Sequence, residues 1–371
     1  MATNNSRNSL SSRLKQVAQA FCNLDKIIIA ALLALAVINI LVQYSANDKV
    51  LGRLISDSIY LAISFVLLII MANISLNQLK HWATTFYIIT IIFLVVIFLF
   101  GVSAHGAKRW LFIGVRIQPS ELCKLSVPIM LACYYSAKNS VPKWKDYISG
   151  LGLILIPFLL IAKQPDLGTG ILVLASGLFV LFFVGLQWRV IIIGSIVLAL
   201  STPIIWHFLH DYQQHRILTL INPQSDPLGA GYHIIQGIIA IGSGGFYGKG
   251  YLQGTQIHLD FIPEKHTDFV ISVLAEEFGY LGVCVVLLLY LILIIRSLMI
   301  MKQAHDLFAQ VLAGSITMSF TLYVLINMGM VSGLLPVVGV PLPFISYGGT
   351  ATVVLMLQFG ILLSIARENK Y

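Results

Sequence analysis

The chain from His207-Phe208-Leu209-His210-Asp211 to Pro263-Glu264-Lys265-His266-Thr267-Asp268-Phe269 is long, polar and charged, and it splits an otherwise apolar sequence into two blocks. Residues 207–268 hold six of the nine histidines and five of the fifteen acidic residues. Upstream lie seven apolar runs, at 27–45, 55–74, 82–102, 119–137, 148–163, 168–187 and 190–209; downstream lie three, at 269–295, 307–330 and 346–366. Each is near the roughly 20 residues a helix needs to cross a hydrocarbon core. The expected fold is therefore an all-α polytopic membrane protein with about ten transmembrane helices and a large loop between helices 7 and 8.

Composition supports this reading and excludes others. With 58% hydrophobic and 10% charged residues over 371 positions, and a mean hydropathy of +0.90, the chain is far more apolar than a soluble domain. The net charge of +8 comes from lysines and arginines that flank apolar runs, not from basic tracts, so no nucleic acid is expected. Cys123, Cys133 and Cys284 fall inside apolar runs and Cys22 in the N-terminal tail, which gives no disulfide framework. The tail 1–26 is polar and lacks an apolar segment with a cleavage site, so the first span should direct insertion itself.

Charge asymmetry sets the orientation. If the tail is cytoplasmic, the inner segments carry thirteen basic residues and the short outer loops six: Lys49, Arg53, Lys108, Arg109, Arg116 and Lys163. The excess belongs inside. Both termini are then cytoplasmic, and residues 207–268 form an extracytoplasmic loop of a single integral membrane domain spanning 1–371.

Several clusters suggest chemistry. His105-Gly106-Ala107-Lys108-Arg109-Trp110, continuing through Arg116-Ile117-Gln118-Pro119-Ser120-Glu121, concentrates cations on the side the charge rule disfavours. That fits either interfacial anchoring or the binding of an anionic group such as a lipid phosphate. Glu121 and Lys124 share one helical face at membrane depth; they form a structural ion pair or line a polar cavity open to the outer face. Asp166, in Gln164-Pro165-Asp166-Leu167-Gly168-Thr169, suits a helix N-cap and can serve function as well. The glycine-rich stretch 242–250 lacks both the Walker pattern and a strand-helix context, which rules out nucleotide binding. His207, His210 and His215 make a weak zinc pattern. Of Glu276 and Glu277, at least one should pack against a structural partner.

Taken in order, Lys108-Arg109-Trp110, Gln118-Pro119-Ser120-Glu121 with Lys124, Gln164-Pro165-Asp166-Leu167-Gly168-Thr169, Asp226-Pro227 with Gly231-Tyr232, Pro263-Glu264 with Thr267-Asp268-Phe269, and Pro343-Phe344-Ile345-Ser346-Tyr347-Gly348-Gly349 resemble the SEDS family (shape, elongation, division and sporulation), its rod-shape branch more than its division branch. The resemblance covers all ten runs. It implies a peptidoglycan glycosyltransferase of the bacterial cytoplasmic membrane that polymerises lipid II on the outer side during cell elongation. Its implied partners are a class B penicillin-binding protein, other elongation-complex membrane proteins and membrane lipids. By the family's pattern Asp268 is the essential loop aspartate, Arg116, Gln118, Glu121, Lys124 and Asp166 are the cavity residues, and Trp110 is the outer-loop tryptophan.

The residue types suit that chemistry. Joining a sugar 4-hydroxyl to an anomeric carbon that carries a polyprenyl diphosphate needs a base for the hydroxyl and cations for the departing group. Asp268 can be the base, with Lys108, Arg116 and Lys124 as cations. Asp268 could equally hold a divalent cation, Mg or Mn. A flippase whose path is lined by Glu121, Lys124 and Asp166 is the alternative, and the missing inverted repeat counts against it.

Overall fold

A computed structural model describes residues 24–47, 50–100, 102–104, 107–113, 115–138, 142–209, 211–222, 226, 229–259, 261–262 and 264–369. The tail up to residue 23 and His105, His210, Asp260 and Pro263 lie outside the described residues, as do the side chains of Lys108, Arg109 and Arg116.

The apolar runs become helices because hydrocarbon offers the backbone no hydrogen-bond partner, so each segment must satisfy its own amides. In order they are α1 (Lys26–Ala46), α2 (Leu51–Asn73), α3 (Leu76–Phe100), α4 (Pro119–Ser136), α5 (Trp144–Ala162), α6 (Leu167–Phe183), α7 (Trp188–Phe208), α8 (Asp211–Ile221), α9 (Ala230–Ser243), α10 (Thr255–His258), α11 (Val270–Gln303), α12 (Leu307–Val331) and α13 (Gly349–Glu368). Seven of these, α1, α2, α3, α5, α11, α12 and α13, are long and apolar enough to cross a membrane. Helix α6 is a shorter apolar helix, as is α7 over Trp188–Ile204, and α4 carries Glu121 and Lys124.

The all-α expectation is corrected. The described residues between α3 and α4 form a three-stranded antiparallel sheet, β1 (Val102–Ala104), β2 (Ala107–Ile113) and β3 (Val115–Ile117), in the order β1-β2-β3. Its register places Val102 opposite Trp110 and Phe112 opposite Arg116. The fold is therefore helical with one small sheet. Within 207–268 the chain forms α8, α9 and α10.

The core lies around α12 and α13, the most enclosed of the long helices. Helix α13 packs on α2, α12 on α6 and α4, and α1 on α11, whereas α7 makes only marginal contacts with the rest. Close approach uses small residues, as is usual between membrane helices: a side chain at Gly177 of α6 would run into Ile154 of α5. Asp25 caps α1 by accepting from Ile27 N (3.1 Å) and Ile28 N (3.2 Å), and it meets Arg296 Nη2 of α11 at 2.7 Å.

Helix α11 is broken. At Gly279 the backbone takes φ 66° and ψ −163°, a conformation open to glycine and costly for other residues. The groups this break frees are taken up by the glycine-rich loop before α10. Lys249 N and Gly250 N donate to the carbonyls of Glu276 (2.9 Å) and Glu277 (3.1 Å), while Tyr280 N and Leu281 N donate to Gly245 O (3.0 Å) and Phe246 O (3.2 Å). Side chains reinforce the joint. Fully buried Glu276 accepts from Lys249 Nζ (2.7 Å), Thr255 Oγ1 (3.1 Å) and Gln256 N (3.0 Å), and Glu277 accepts from Ser45 Oγ and from Leu252 N (3.2 Å). Both glutamates thus have structural partners. Gly244 and Gly248 serve this close backbone approach, since a side chain at either would run into the carbonyl of Ala275 or Glu277.

Candidate active site

Helix α4 begins with Gln118 as N-cap and Pro119 in the first turn, where proline's missing amide costs nothing. That start aims Gln118 across to α6, and its Nε2 donates to Asp166 Oδ2 at 2.7 Å. The other oxygen of Asp166 accepts from Thr169 N at 3.4 Å, so Asp166 caps α6 and holds Gln118 with the same carboxylate. One turn into α4, Glu121 meets Lys124 at 2.5 Å, with both side chains under a tenth exposed. Lys124 also donates to Tyr323 Oη of α12 (3.3 Å) and sits 4.4 Å from the centre of that ring.

Gln118, Glu121, Asp166 and Tyr323 border a cavity of about 370 Å³. One wall is Trp110 of β2 with Gln118, Glu121 and Asp166; the other is Thr267 and Asp268 ahead of α11, Gly339 to Pro341, and Tyr347 to Ala351 at the start of α13. Five of the eight expected site residues, Trp110, Gln118, Glu121, Asp166 and Asp268, therefore face one space. Lys124 does not line it. It lies behind Glu121, over a separate small void shared with Leu172, Ser319 and Gln358, and reaches the site through Glu121. Lys108 and Arg116 stand on β2 and β3 beside Trp110 by backbone position, and their side chains lie outside the described residues.

Asp268 is not the cap of the helix it precedes. Phe269 occupies the N-cap position of α11, without a side-chain cap bond. This removes the structural explanation for a carboxylate at 268 and leaves its side chain on the cavity wall. Burial pushes its pKa from the ordinary 3.8 up to about 7; Glu264 adds to the rise and Arg216 opposes it. A carboxyl that titrates near neutral pH is matched to proton transfer at that pH. Arg216, on α8, gave no sequence signal beyond being a cation in the polar stretch. Tyr323 gave none, being one aromatic in an apolar run. Tyr347, Gly348 and Gly349 were visible only as part of a motif.

Among the described residues, no three His, Cys, Asp or Glu side chains come together where they could share a metal ion. Among the described residues a divalent cation on Asp268 would find no pair of carboxylate, imidazole or thiolate companions, so the donor set does not fit a three-ligand protein site.

Comparison with known proteins agrees with this arrangement. The family of cell cycle proteins described as FtsW/RodA/SpoVE matches residues 19–371. The peptidoglycan glycosyltransferase MrdB of Escherichia coli (strain K12) is 49% identical over 350 residues, covering 94% of this chain and 95% of that protein. Stage V sporulation protein E of Bacillus subtilis (strain 168) is 32% identical over 367 residues, covering 94% and 98%. Among solved structures, a chain from a peptidoglycan synthase complex, described as structurally coordinating polymerization and crosslinking, superposes with a TM-score of 0.82 at 29% identity, covering 93% of this chain and 98% of that one. The crystal structure of the rod shape determining protein RodA of Thermus thermophilus gives 0.72 at 25% identity, covering 94% and 98%. A match over nearly the whole chain, together with a cavity built from the motifs that suggested it, leads to one assignment: the chain belongs to the FtsW/RodA/SpoVE family of cell cycle proteins, the SEDS family.

Proposed function

We infer that this chain is a peptidoglycan glycosyltransferase of cell elongation, polymerising lipid II into glycan strands, with Asp268 as general base. The observation that carries the site assignment is the Asp268 carboxyl, held near neutral pKa on the wall of a cavity it shares with Trp110, Gln118, Glu121 and Asp166.

The reaction is one displacement. The acceptor's 4-hydroxyl oxygen forms a bond to the donor's anomeric carbon as that carbon's bond to the diphosphate oxygen breaks. The hydroxyl proton goes to Asp268, and the electron pair leaves with the polyprenyl diphosphate. Attack from the face opposite the leaving group turns an α-linked donor into a β-linked glycan. A base with pKa about 7 is half ionised at neutral pH, which balances availability against basicity.

The described acidic groups of the cavity, Glu121, Asp166 and Asp268, would repel a diphosphate unless cations face them. Glu121 is neutralised by Lys124. We assign the remaining counter-charge to Lys108 and Arg116, carried by the sheet that brings Trp110 to the cavity, and to Arg216, whose charge already acts on Asp268. Glu121 and Asp166 then order the floor, with Gln118 fixed by Asp166.

In this reading the chain makes ten crossings of the bacterial cytoplasmic membrane, α1 to α7 and α11 to α13. Both termini are cytoplasmic and 207–268 lies outside. The solved relative in a complex that coordinates polymerization with crosslinking supports a class B penicillin-binding protein as partner. The deciding experiment supplies labelled lipid II to the purified chain and its partner in lipid vesicles. Glycan polymer lost on Asp268→Asn is the expected result. Movement of lipid II across the bilayer without polymer would make the chain a transporter, and neither outcome would reduce it to a scaffold.

A further inference from the structure

The three carbonyls of the turn that ends in Asp268 are all held from outside. His266 O accepts from Gln43 Nε2 of α1 (2.9 Å) and from Tyr347 N (2.9 Å). Thr267 O accepts from Ser346 Oγ (2.5 Å), and Asp268 O accepts from Asn327 Nδ2 of α12 (3.0 Å). The turn precedes α11, whose own ladder leaves these groups without partners, and a buried carbonyl must be satisfied somewhere.

The same side chains also grip the neighbouring stretch between α12 and α13. Gln43 Nε2 donates to Ile345 O (3.0 Å), Asn327 Nδ2 donates to Val340 O (2.7 Å), and Ser346 Oγ accepts from Leu342 N (2.7 Å). Gln43, Asn327 and Ser346 are each at most 2% exposed, so water cannot replace a lost bond. Asn327 has two amide hydrogens and gives one to Asp268 O and one to Val340 O. Neither Asp, which presents acceptors to two carbonyls, nor Leu, which presents nothing, can do the same.

We propose that Gln43, Asn327 and Ser346 are positioning residues, a polar clamp that fixes the Asp268 turn to the Val340–Tyr347 wall and so sets where the carboxylate stands in the cavity. This rests on the reading of Asp268 as the base. The clamp explains why three polar side chains interrupt apolar packing around one turn. It also gives the serine of Pro343-Phe344-Ile345-Ser346-Tyr347-Gly348-Gly349 a task, since its hydroxyl both closes its own turn and holds Thr267.

The test uses the full chain in lipid vesicles with lipid II, comparing Asn327→Leu, Ser346→Ala, Ser346→Thr and Asp268→Asn at matched amounts of folded protein. Misplacing a reacting group by about 1 Å costs on the order of 100-fold in rate, so Asn327→Leu should lose about that in kcat, and Ser346→Ala about tenfold. KM should stay within about threefold in both, because the lost interaction matters to the transition state and not to binding. Ser346→Thr, which keeps the hydroxyl, should recover most of the rate. Folded Asn327→Leu and Ser346→Ala with kcat near that of the parent, or Ser346→Thr no better than Ser346→Ala, would overturn the clamp. If Asn327→Leu does not fold, the Ser346 pair decides. Polymerisation by Asp268→Asn would instead overturn the base assignment, whereas an inactive Asp268→Asn beside unimpaired clamp variants defeats the clamp alone.

Discussion

Replacing Asp268 with asparagine should make the protein inactive and, at alkaline pH, more stable than the parent. The side chain's folded-state pKa is raised from 3.8 to about 7, so the fold favours the neutral acid. Its contribution to stability is complete below pH about 4 and is lost as pH rises through 7. A difference of three units corresponds to at most about 4 kcal/mol, less to the extent that water enters the cavity. Most of that loss, roughly 2 to 3 kcal/mol, falls between pH 5 and pH 8. Asparagine is neutral throughout and escapes it. Unfolding of parent and Asp268→Asn in the same detergent at both pH values should therefore show a stability gap that widens with pH, and comparing the two cancels the titration of His266 and His233. Activity should run the other way: the parent's rate should rise about tenfold per pH unit below 7 and level off above it. A stability gap of constant size, or a parental rate unchanged between pH 5.5 and 8, would refute the argument that a buried acid is kept here for its basicity.

Glu121→Ala leaves Lys124 buried without its partner, which costs about 3 to 5 kcal/mol in such pairs. The swap Glu121→Lys with Lys124→Glu should restore folded yield but not polymerisation, and recovery of both would reduce the pair to scaffolding. Lys249→Met strands Glu276 at the α11 break at a similar cost, and unfolding should show much of it recovered in the double variant Lys249→Met with Glu276→Leu; additive losses would show that the two residues are not coupled. In a cysteine-free background, Gln253→Cys should react with a membrane-impermeant thiol reagent on intact cells and Lys143→Cys should not. Labelling at 143 would reverse the orientation and remove the outer active site.

Hydropathy made the helices legible because every crossing must be apolar over a fixed length; all ten runs fall on helices, seven of them long and apolar enough to cross a membrane, with ends that differ most at Gln303. The sheet at 102–117 was missed for a specific reason. Its cations drew the reading toward anchoring or anion binding, although Gly106 and Gly114 punctuate short stretches that end in Ala104, Ile113 and Ile117, a pattern of turns between strands. The break at Gly279 had no signal, since glycine is common in membrane helices and its φ is set by the loop that packs against it.

The site divides along the same line. Glu121 and Lys124 were visible as charges at membrane depth, where each needs a partner or a watery space, and Asp166 and Asp268 as acids in motifs just before helices. Gln43 and Asn327 were passed over because a neutral polar side chain in an apolar run costs less and attracts less notice. Yet the requirement is the same in kind: a buried amide in hydrocarbon has to donate to something. Asn327 finds its acceptors at Asp268 and Val340, far apart in sequence on one wall of the cavity. No periodicity could have paired them. What the sequence did contain was the obligation to pair, and following that obligation from each uncharged polar residue inside a span leads from α1 and α12 to the turn that carries the Asp268 carboxylate.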